Sequence, residues 1–511
     1  MNMPQHPSPL LQRWAAPLTV VPLALLFHYL FLGMASGLNV AIYAWAAMAV
    51  AMGRYGWRQV STPARLAFAG SAFSALMFVV HHSTLAGVAT FGGLMLFAGL
   101  VHEPRLRGVF HPMLQAVAAF FVAPFRLRAS TLPTGPAVRT SPWQLVRSGF
   151  IPLLVTSVFI FLYQGGNPRF GQVTASLWDG LMDLLGELFS PRILFFMLGL
   201  MVSATLVRRL APGRLVQIES SMSDLLVRKR VPRPRWAPPA GLNPLDRERK
   251  AGIILLAMLN TVLLVVNLID IHWLWFGFTV PEDFSLKQFV HEGTWLLVIS
   301  ILLGMCVLLV LFRDNLNFHP RNQGLKMLAL TWVAQNFVLG ISVFLRNWHY
   351  ISFHGLAYKR IGVMVFLLLV LVGLATMFRK VRDRRSLFYL ARVNGWAWFV
   401  VMVALTAVDW DSTIVRYNLR HDNPGEVDIG NYLAMSDKVL PLLYSNLDLV
   451  EKQMAQHRNN RVRWVEHLDP AEFRAALDLK RQRFEKRVAA QRWQESNLAD
   501  RRTLAALSDL H

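Results

Sequence analysis

The chain has 511 residues, of which 54% are hydrophobic and only 16% are charged, and its formal net charge is +22 at pH 7. A water-soluble protein of this length needs more charge to cover its surface, so the composition argues against one. In a soluble protein the positive excess would suggest nucleic-acid binding. In a membrane protein it is expected from the cytoplasmic loops, and we predict no nucleic-acid partner.

Eleven apolar stretches have about the length that a helix needs to cross a bilayer. They are continuously apolar rather than alternating, which favours helices over a transmembrane barrel. We therefore predict an all-α fold, a polytopic helical membrane protein with a small helical C-terminal domain outside the membrane. The predicted spans are residues 15–35, 37–53, 64–82, 84–102, 148–165, 192–207, 251–271, 291–312, 327–345, 361–378 and 388–409.

Positive charges fall on alternate loops. Arg54, Arg58 and Arg65 follow the second span, and residues 208–250 carry eleven Lys or Arg against four acids. The positive-inside rule places these loops in the cytoplasm, so the N-terminus is predicted inside and the C-terminus outside. The predicted location is the bacterial inner membrane, with the tail extracytoplasmic.

Charge and proline content divide the chain into four predicted parts. These are an N-terminal bundle of six spans (1–207), a basic, Pro-rich cytoplasmic linker (208–250), a C-terminal bundle of five spans (251–411) and an extracytoplasmic helical tail (412–511). The linker is predicted to lie against anionic lipids of the inner leaflet. Within the first part, 109–125 is predicted as an interfacial or re-entrant helix and 172–189 as an amphipathic surface helix.

Ionisable residues gather at the predicted outer ends of the C-terminal spans. Arg346 and His349 lie in the loop that precedes the tenth span. The candidate site residues at the same level are Asp270, His272, His291, Glu292, His354, Lys359, Arg360, Asp409 and Asp411. Such groups tend to find partners at a membrane boundary, so they are predicted to form one polar crater.

Three interpretations of this crater stay open. Interfacial salt bridges that lock the rim are the ordinary one, and a site for an anionic group on Lys359 and Arg360 is the second. A metal site is the third, but no His pair has ligand spacing on one element, and His349 and His354 are expected in a loop. Asp409-Trp410-Asp411 resembles the Asp-x-Asp of sugar transferases, a tripeptide that is common by chance. We predict no bound metal and no cofactor.

Other polar residues lie inside spans. Asn260 and Asn267 in the seventh span, and Gln335, Asn336 and Gly340 in the ninth, are expected to serve helix packing and helix-to-helix hydrogen bonds rather than substrate binding.

Four short motifs carry a family resemblance. They are Phe289-Val-His-Glu-Gly-Thr-Trp295, His354-Gly-Leu-Ala-Tyr-Lys-Arg-Ile361, Val415-Arg-Tyr-Asn-Leu419, and Asp428-Ile-Gly-Asn-Tyr-Leu433 leading to Ser436-Asp437. Over about residues 250–445 the chain resembles the bacterial membrane-protein family called domain of unknown function 4173. The resemblance implies no activity, but it adds Arg416, Tyr417 and Asn418 to the candidate site.

The favoured hypothesis is a non-enzymatic envelope protein that presents its outer rim and helical tail to a protein partner or an anionic ligand. The alternatives are a transporter or flippase-like protein, and a membrane enzyme acting on a lipid-linked substrate at the outer surface. The sequence has no matched pair of broken helices, which argues against a transporter. The signatures Gly-x-Ser-x-Gly, a phosphate-binding Gly loop and the zinc-protease helix motif are all missing from the sequence.

Overall fold

The structure is a computed structural model that describes residues 17–124, 156, 186, 190–207, 214–228, 244–276, 294–313, 315–421, 429–457 and 469–510. Within these residues the elements are helices, joined at one point by an isolated β-bridge between Leu225 and Arg385. The predicted all-helical fold class is confirmed for this part of the chain.

The helices of the membrane region are α1 (Pro17–Phe31), α2 (Leu38–Tyr55), α3 (Thr62–His81), α4 (Thr84–His102), α5 (Phe110–Val122), α6 (Pro191–Val207), α7 (Arg214–Ser221), α8 (Pro244–Asp270), α9 (Thr294–Leu311), α10 (Gln323–His354), α11 (Tyr358–Asp383) and α12 (Leu387–Leu405). A π-helical segment, Ile271–Trp275, continues α8, and a 3₁₀ turn, Asn315–Phe318, precedes α10.

The C-terminal helices are α13 (Trp410–Arg420), α14 (Gly430–Ala434), α15 (Leu440–Tyr444), α16 (Leu447–His457), α17 (Pro470–Ala489) and α18 (Leu498–Ser508). Two 3₁₀ turns, Asp437–Val439 and Trp493–Glu495, lie between them.

Seven helices of the described chain are long and apolar enough to cross a membrane, namely α3, α4, α8 with its π segment, and α9 to α12. They correspond to seven of the predicted spans. Three further predicted spans, 15–35, 37–53 and 192–207, coincide with shorter apolar helices, and 148–165 lies outside the described residues except for residue 156. The count of eleven therefore stays a prediction, as does the amphipathic helix at 172–189, of which only residue 186 is described.

The prediction that His349 and His354 lie in a loop is wrong. Both belong to α10, which runs for 32 residues and ends where Gly355 adopts φ +83°. The polar residues after 345 look like a loop in the sequence, but neither Gly nor Pro interrupts them. Helix α12 is shorter than the predicted span 388–409. It ends at Leu405, and Asp409 is the N-cap residue of the next helix, α13.

The described residues fall into two compact units. The first comprises the described parts of Met1–Ala35, Ala46–Arg58 and Ala116–Leu210. In it α1 packs on α6, where the rings of Phe27 and Phe195 stack at 5.2 Å. Gly199 permits this approach, because a Cβ there would lie 2.8 Å from the ring of Phe27.

The second unit comprises Ser36–Trp45, Gln59–Gln115 and the described residues from Ala211 onward. Small residues let α3 and α4 pack closely, as is usual for helices in lipid. A Cβ on Gly93 would lie 2.9 Å from the Cβ of Ser71, whose hydroxyl donates to the carbonyl of Thr90.

Helices α8 and α10 are joined by a ladder of amides. Asn260 Nδ2 donates to the Leu328 carbonyl at 3.0 Å, Gln335 Nε2 donates to Asn260 Oδ1 at 3.2 Å, and Asn267 Nδ2 donates to the Gln335 carbonyl at 3.0 Å. The predicted helix-to-helix role of these three residues is confirmed. Asn336 instead bonds within its own helix, to the Trp332 carbonyl.

One end of the second unit, here called the basic end, gathers residues 103–109, 214–228, 312–313, 315–322 and 380–386. Buried Glu219 accepts from the backbone N–H groups of Arg107 and Gly108 at 2.5 and 2.8 Å. Leu226 N–H donates to the Arg384 carbonyl, and buried Lys380 donates to the Phe312 carbonyl at 2.8 Å. The described part of the predicted linker is thus bonded to the loops beside it.

The opposite end, here called the tail end, gathers residues 36–38, 81–84, 355–357 and 406–409. His82 Nε2 lies 2.9 Å from the Ser36 carbonyl, and His81 Nε2 lies 3.1 Å from the Ala407 carbonyl. The last part of the chain also contacts this end. Leu38 N–H donates to the Ser496 carbonyl at 2.9 Å, and a Cβ on Gly37 would lie 2.1 Å from the Glu495 carbonyl oxygen.

The C-terminal helices have an apolar core of their own, built from Tyr432, Val439, Leu440, Leu443, Val450, Phe473, Leu477 and Phe484 with Ile414 and Val415 of α13. The prediction that the tail (412–511) is helical is confirmed where the tail is described. Because α13 contributes to this core, its orientation is fixed by the tail, and α13 carries the residues that meet the membrane helices.

Candidate functional site

Two carboxylates at the start of α13 share one lysine, whose side chain is 9% exposed. Lys438 Nζ lies 2.8 Å from Asp409 Oδ1 and 3.7 Å from Asp411 Oδ2. Asp409 is the N-cap residue of α13 and Asp411 lies in its first turn, where the helix dipole stabilises negative charge. The lysine comes from the 3₁₀ turn Asp437–Val439 of the tail, so this pairing joins the tail to the end of the membrane helices.

Asp411 has two further partners. The hydroxyl of Tyr358, the first residue of α11, donates to Oδ1, and the hydroxyl of Ser436 donates to Oδ2. Asp409 Oδ2 accepts from the Ser412 hydroxyl at 2.7 Å. The acid–lysine cluster is named here as Tyr358, Asp409, Asp411, Ser436 and Lys438. Its two carboxylates thus bond to one ammonium and to hydroxyl groups of the same chain.

A second network fixes the tail helices to one another. Arg487 of α17 donates to both carboxylate oxygens of Asp500, at 2.8 and 3.0 Å, and to Asp437 Oδ2 at 2.9 Å. Lys480 donates to the carbonyl groups of Leu433 and Met435 at the end of α14. Burial lowers the pKa of the Lys480 ammonium below its usual value.

Asp409 and Asp500 are predicted to stabilise the tail only while their carboxyl groups are ionised. Burial would raise the pKa of Asp409, but the bonds from Lys438 and Ser412 outweigh it and hold the pKa below its usual value. The pKa of Asp500 is lowered in the same way by Arg487, Gln491 and Asn497. A carboxyl group with a depressed folded-state pKa stabilises the fold above its unfolded value and loses this contribution as the pH falls.

We therefore expect the melting temperature of the purified protein to be flat from pH 8 to 5 and to fall below about pH 4, where free Asp titrates. Thermal unfolding in detergent across this range measures it. Asp409→Asn should reduce the acid drop, whereas Asp448→Asn, at an exposed position of α16, should leave it unchanged. An identical acid drop in the wild type and in Asp409→Asn would contradict the assignment.

The turn between α10 and α11 is held by α13. The side-chain amide of Asn418 accepts from the backbone N–H of Leu356 at 2.6 Å and donates to its carbonyl at 2.9 Å. Arg360 donates to the carbonyl groups of His354 and Gly355 and lies over the ring of Tyr350 at 4.6 Å. Arg360 therefore caps the C-terminus of α10, the favourable end for a cation.

Gly355 makes this turn possible. Its φ of +83° and ψ of −179° belong to a region that only glycine adopts without strain, and a Cβ would lie 2.6 Å from Asn418 Oδ1. Gly355→Ala is expected to lower the free energy of unfolding by about 2 kcal/mol or more.

Thermal unfolding in detergent measures this effect. The matched control is Gly362→Ala in α11, where the added methyl group meets open space within a helix. Alanine there should be neutral or stabilising by up to about 1 kcal/mol. Equal effects of the two substitutions would contradict the role given to Gly355.

An ion pair is buried between α8 and α10. Arg346 Nη2 donates to Asp270 Oδ1 at 2.5 Å, and the two residues are 8% and 3% exposed. Asp270 is followed at once by the π-helical segment, in which Trp275 donates to the Ser342 hydroxyl of α10. The pair fixes the tail end of α8 against α10.

The described candidate residues make several separate sets of contacts at the tail end, and the single crater stays a prediction. Asp409 and Asp411 belong to the acid–lysine cluster, Asp270 pairs with Arg346, and Asn418 and Arg360 hold the α10–α11 turn. The side chain of His354 packs on Tyr350 at 4.6 Å, and Tyr417 stacks on His421 at 4.0 Å. His272, Lys359 and Arg416 are exposed, and His291 and Glu292 lie outside the described residues.

Sequence reasoning missed the partners that give the cluster its character, Lys438, Ser436 and Tyr358. Ser436-Asp437 was singled out only as a family motif, and Lys438 is the next residue. Two carboxylates so close together favour a nearby positive charge. The Asp-x-Asp spacing was therefore the signal in the sequence that pointed to a cationic partner. Within the described ranges no three His, Cys, Asp or Glu residues are grouped so that they could hold a metal ion.

A family model described as "Domain of unknown function (DUF4153)" matches residues 37–446. The chain belongs to this family. The DUF4153 match covers all seven membrane-length helices, α13 and the acid–lysine cluster, but it ends before α17 and α18. The resemblance to domain of unknown function 4173 is not confirmed by it. No curated protein and no solved structure matches the chain.

Proposed function

We propose that this DUF4153 protein is a non-enzymatic, multi-pass protein of the bacterial inner membrane that presents its helical tail to a partner in the envelope. The observation that carries the proposal is Lys438 between Asp409 and Asp411. Carboxylates prepared for catalysis or for a metal would be open to a ligand, whereas these bond to the tail. A rigidly held tail suits a docking platform for a protein or an anionic ligand.

The proposed orientation has the N-terminus in the cytoplasm and the tail in the extracytoplasmic space, with eleven spans. It is supported by the separation of the basic end from the tail end, because positively charged loops are retained in the cytoplasm. The proposed parts are 1–207, 208–250, 251–411 and 412–511. Anionic inner-leaflet lipids are the proposed partner of the basic linker.

A transporter and an enzyme acting on a lipid-linked substrate receive less support. The polar residues inside α8 and α10 bond to each other along the amide ladder. The enzyme hypothesis takes Asp409, Asp411 or Glu292 as base or metal ligand. Asp409 and Asp411 bond to Lys438, Tyr358 and Ser436, and Glu292 lies outside the described residues. Neither arrangement requires a substrate.

Impermeant maleimide labelling of intact cells tests the orientation. The single cysteine is replaced by Cys306→Ala, and a new one is introduced by Ser508→Cys in the tail or Arg379→Cys at the basic end, both at exposed positions. The tail variant should react in intact cells and the basic-end variant only after permeabilisation. The reverse pattern would remove the extracytoplasmic placement.

Photo-crosslinking tests the platform in the full-length protein. A photoreactive residue replaces Leu504 of the tail, which is exposed, or as a control Met327 of α10. Leu504 should give a defined adduct that Met327 does not, and Lys438→Met should reduce it while the protein level is maintained. Equal adducts from both positions, or an adduct indifferent to Lys438→Met, would count against a held tail.

A further inference from the structure

A cavity of about 450 Å³ opens at the basic end, between the start of α10 and the end of α11. It is far along the helices from the acid–lysine cluster and plays no part in holding the tail. Its wall combines cationic side chains, Lys326, Arg382 and Arg384, with apolar ones such as Met327 and Leu330.

The cations are held in place by the fold. Lys326 Nζ donates to the Arg382 carbonyl at 2.6 Å, which draws the lysine to the end of α11. The guanidinium of Arg384 lies over the ring of Phe318 at 5.2 Å. Arg382 Nε donates to Asp383 Oδ1 at 3.0 Å, and Asp246 lies 3.2 Å from His319 Nε2 of the wall, so three cations stand against two acids. The excess favours an anionic ligand.

The N-terminus of α10 opens on the same cavity. Asn322 is the N-cap residue, but its side chain makes no capping hydrogen bond. Unpaired N–H groups in the first turn of a helix carry partial positive charge and bind phosphate groups. Asn322 lines the cavity and is 8% exposed, and its Oδ1 has no hydrogen-bond partner in the part of the chain that is described. A buried acceptor of this kind is costly unless a donor bonds to it, and a ligand hydroxyl could supply that donor.

The apolar side of the cavity continues onto the lipid-facing surface of α10. Met327 is 58% exposed, and Leu330 lies one turn further along the helix. Inorganic phosphate would gain nothing from this surface. A diacyl lipid would bury its chains against it while its headgroup reached the cations.

We infer that this cavity binds the headgroup of an anionic phospholipid of the phosphatidylglycerol type. The phosphate lies against Lys326, Arg382, Arg384 and the start of α10, a headgroup hydroxyl donates to Asn322 Oδ1, and an acyl chain follows Met327 and Leu330. The inference does not depend on the role of the tail or on any envelope partner.

Native mass spectrometry of the full-length protein, titrated with phosphatidylglycerol or phosphatidylcholine, measures the site. Phosphatidylglycerol should bind at least about tenfold more tightly. Arg382→Gln with Arg384→Gln should weaken phosphatidylglycerol binding by roughly 10- to 30-fold, since each basic residue near a membrane surface contributes about fivefold. The matched control is Arg379→Gln with Arg321→Gln, which removes the same charge from exposed positions at the same end.

A second variant, Asn322→Asp, places a carboxylate beside the same N–H groups and should also abolish the preference, without removing any cation. Equal losses in the control pair would show general surface attraction and overturn the site. No preference over phosphatidylcholine in the wild type would do the same. Full displacement of the lipid by millimolar glycerol phosphate or inorganic phosphate would overturn the assignment to a lipid.

Discussion

Replacing Arg346 by methionine is expected to destabilise the protein by about 3–5 kcal/mol, the largest effect of any substitution proposed for this chain. The guanidinium lies 2.5 Å from Asp270 between two membrane-length helices, and both side chains are almost fully buried. Removing it leaves the Asp270 carboxylate without its charge partner in a medium of low polarity, where an isolated charge is costly. The melting temperature in detergent measures the loss.

Arg346→Met combined with Asp270→Asn provides the control. If charge is the cause, the double variant removes both charges and should recover most of the lost stability, because a neutral amide costs far less to bury than a lone ion. A double variant as unstable as Arg346→Met alone would assign the loss to packing instead.

Lys438→Met is expected to destabilise the attachment of the tail by about 3 kcal/mol. Methionine fills a similar volume but leaves two carboxylates, Asp409 and Asp411, close together and poorly solvated. Like charges in one site repel each other, so the start of α13 should open. Limited proteolysis of the full-length protein should then cleave the tail faster than in the wild type, and the melting temperature should fall.

The matched control is Lys452→Met in α16, which removes the same charge from an exposed position of the tail. A surface charge of this kind contributes about 0–1 kcal/mol. Asp409→Asn in the Lys438→Met background should relieve the repulsion and slow proteolysis again. If Lys452→Met accelerates cleavage as much as Lys438→Met, the acid–lysine cluster is not what holds the tail.

The helices were predictable because their cause is local. Blocks such as 251–271 and 361–378 are apolar for long enough that lipid requires a helix, and the structure has one at each. The end of α10 was not predictable in this way. Arg346 looks like the start of a loop until Asp270, 76 residues earlier in the chain, is known to neutralise it.

The candidate site was predictable only in part, and for a related reason. Periodicity places Asp411 and Asn418 on the same face of α13, and the structure buries both. Periodicity does not predict the position of Lys438. This residue approaches Asp409 because the apolar core of the tail packs the 3₁₀ turn against α13. The sequence also suggested that the acidic and basic residues near the outer ends of the spans would form one site. The described ones form separate ion pairs, such as Asp270 with Arg346 and Asp409 with Lys438.

The contact between Leu38 and Ser496 affects how the tail could dissociate from the tail end of the second unit. The described contacts of the C-terminal segment include one near its beginning, at Lys438, and one near its end, at the backbone of Gly37 and Leu38. Each contact raises the effective concentration of the other, so a tail that detaches at one point rebinds before it can diffuse away. Release of the tail therefore requires these contacts to open together. A partner that binds at only one of them would leave the tail attached through the other.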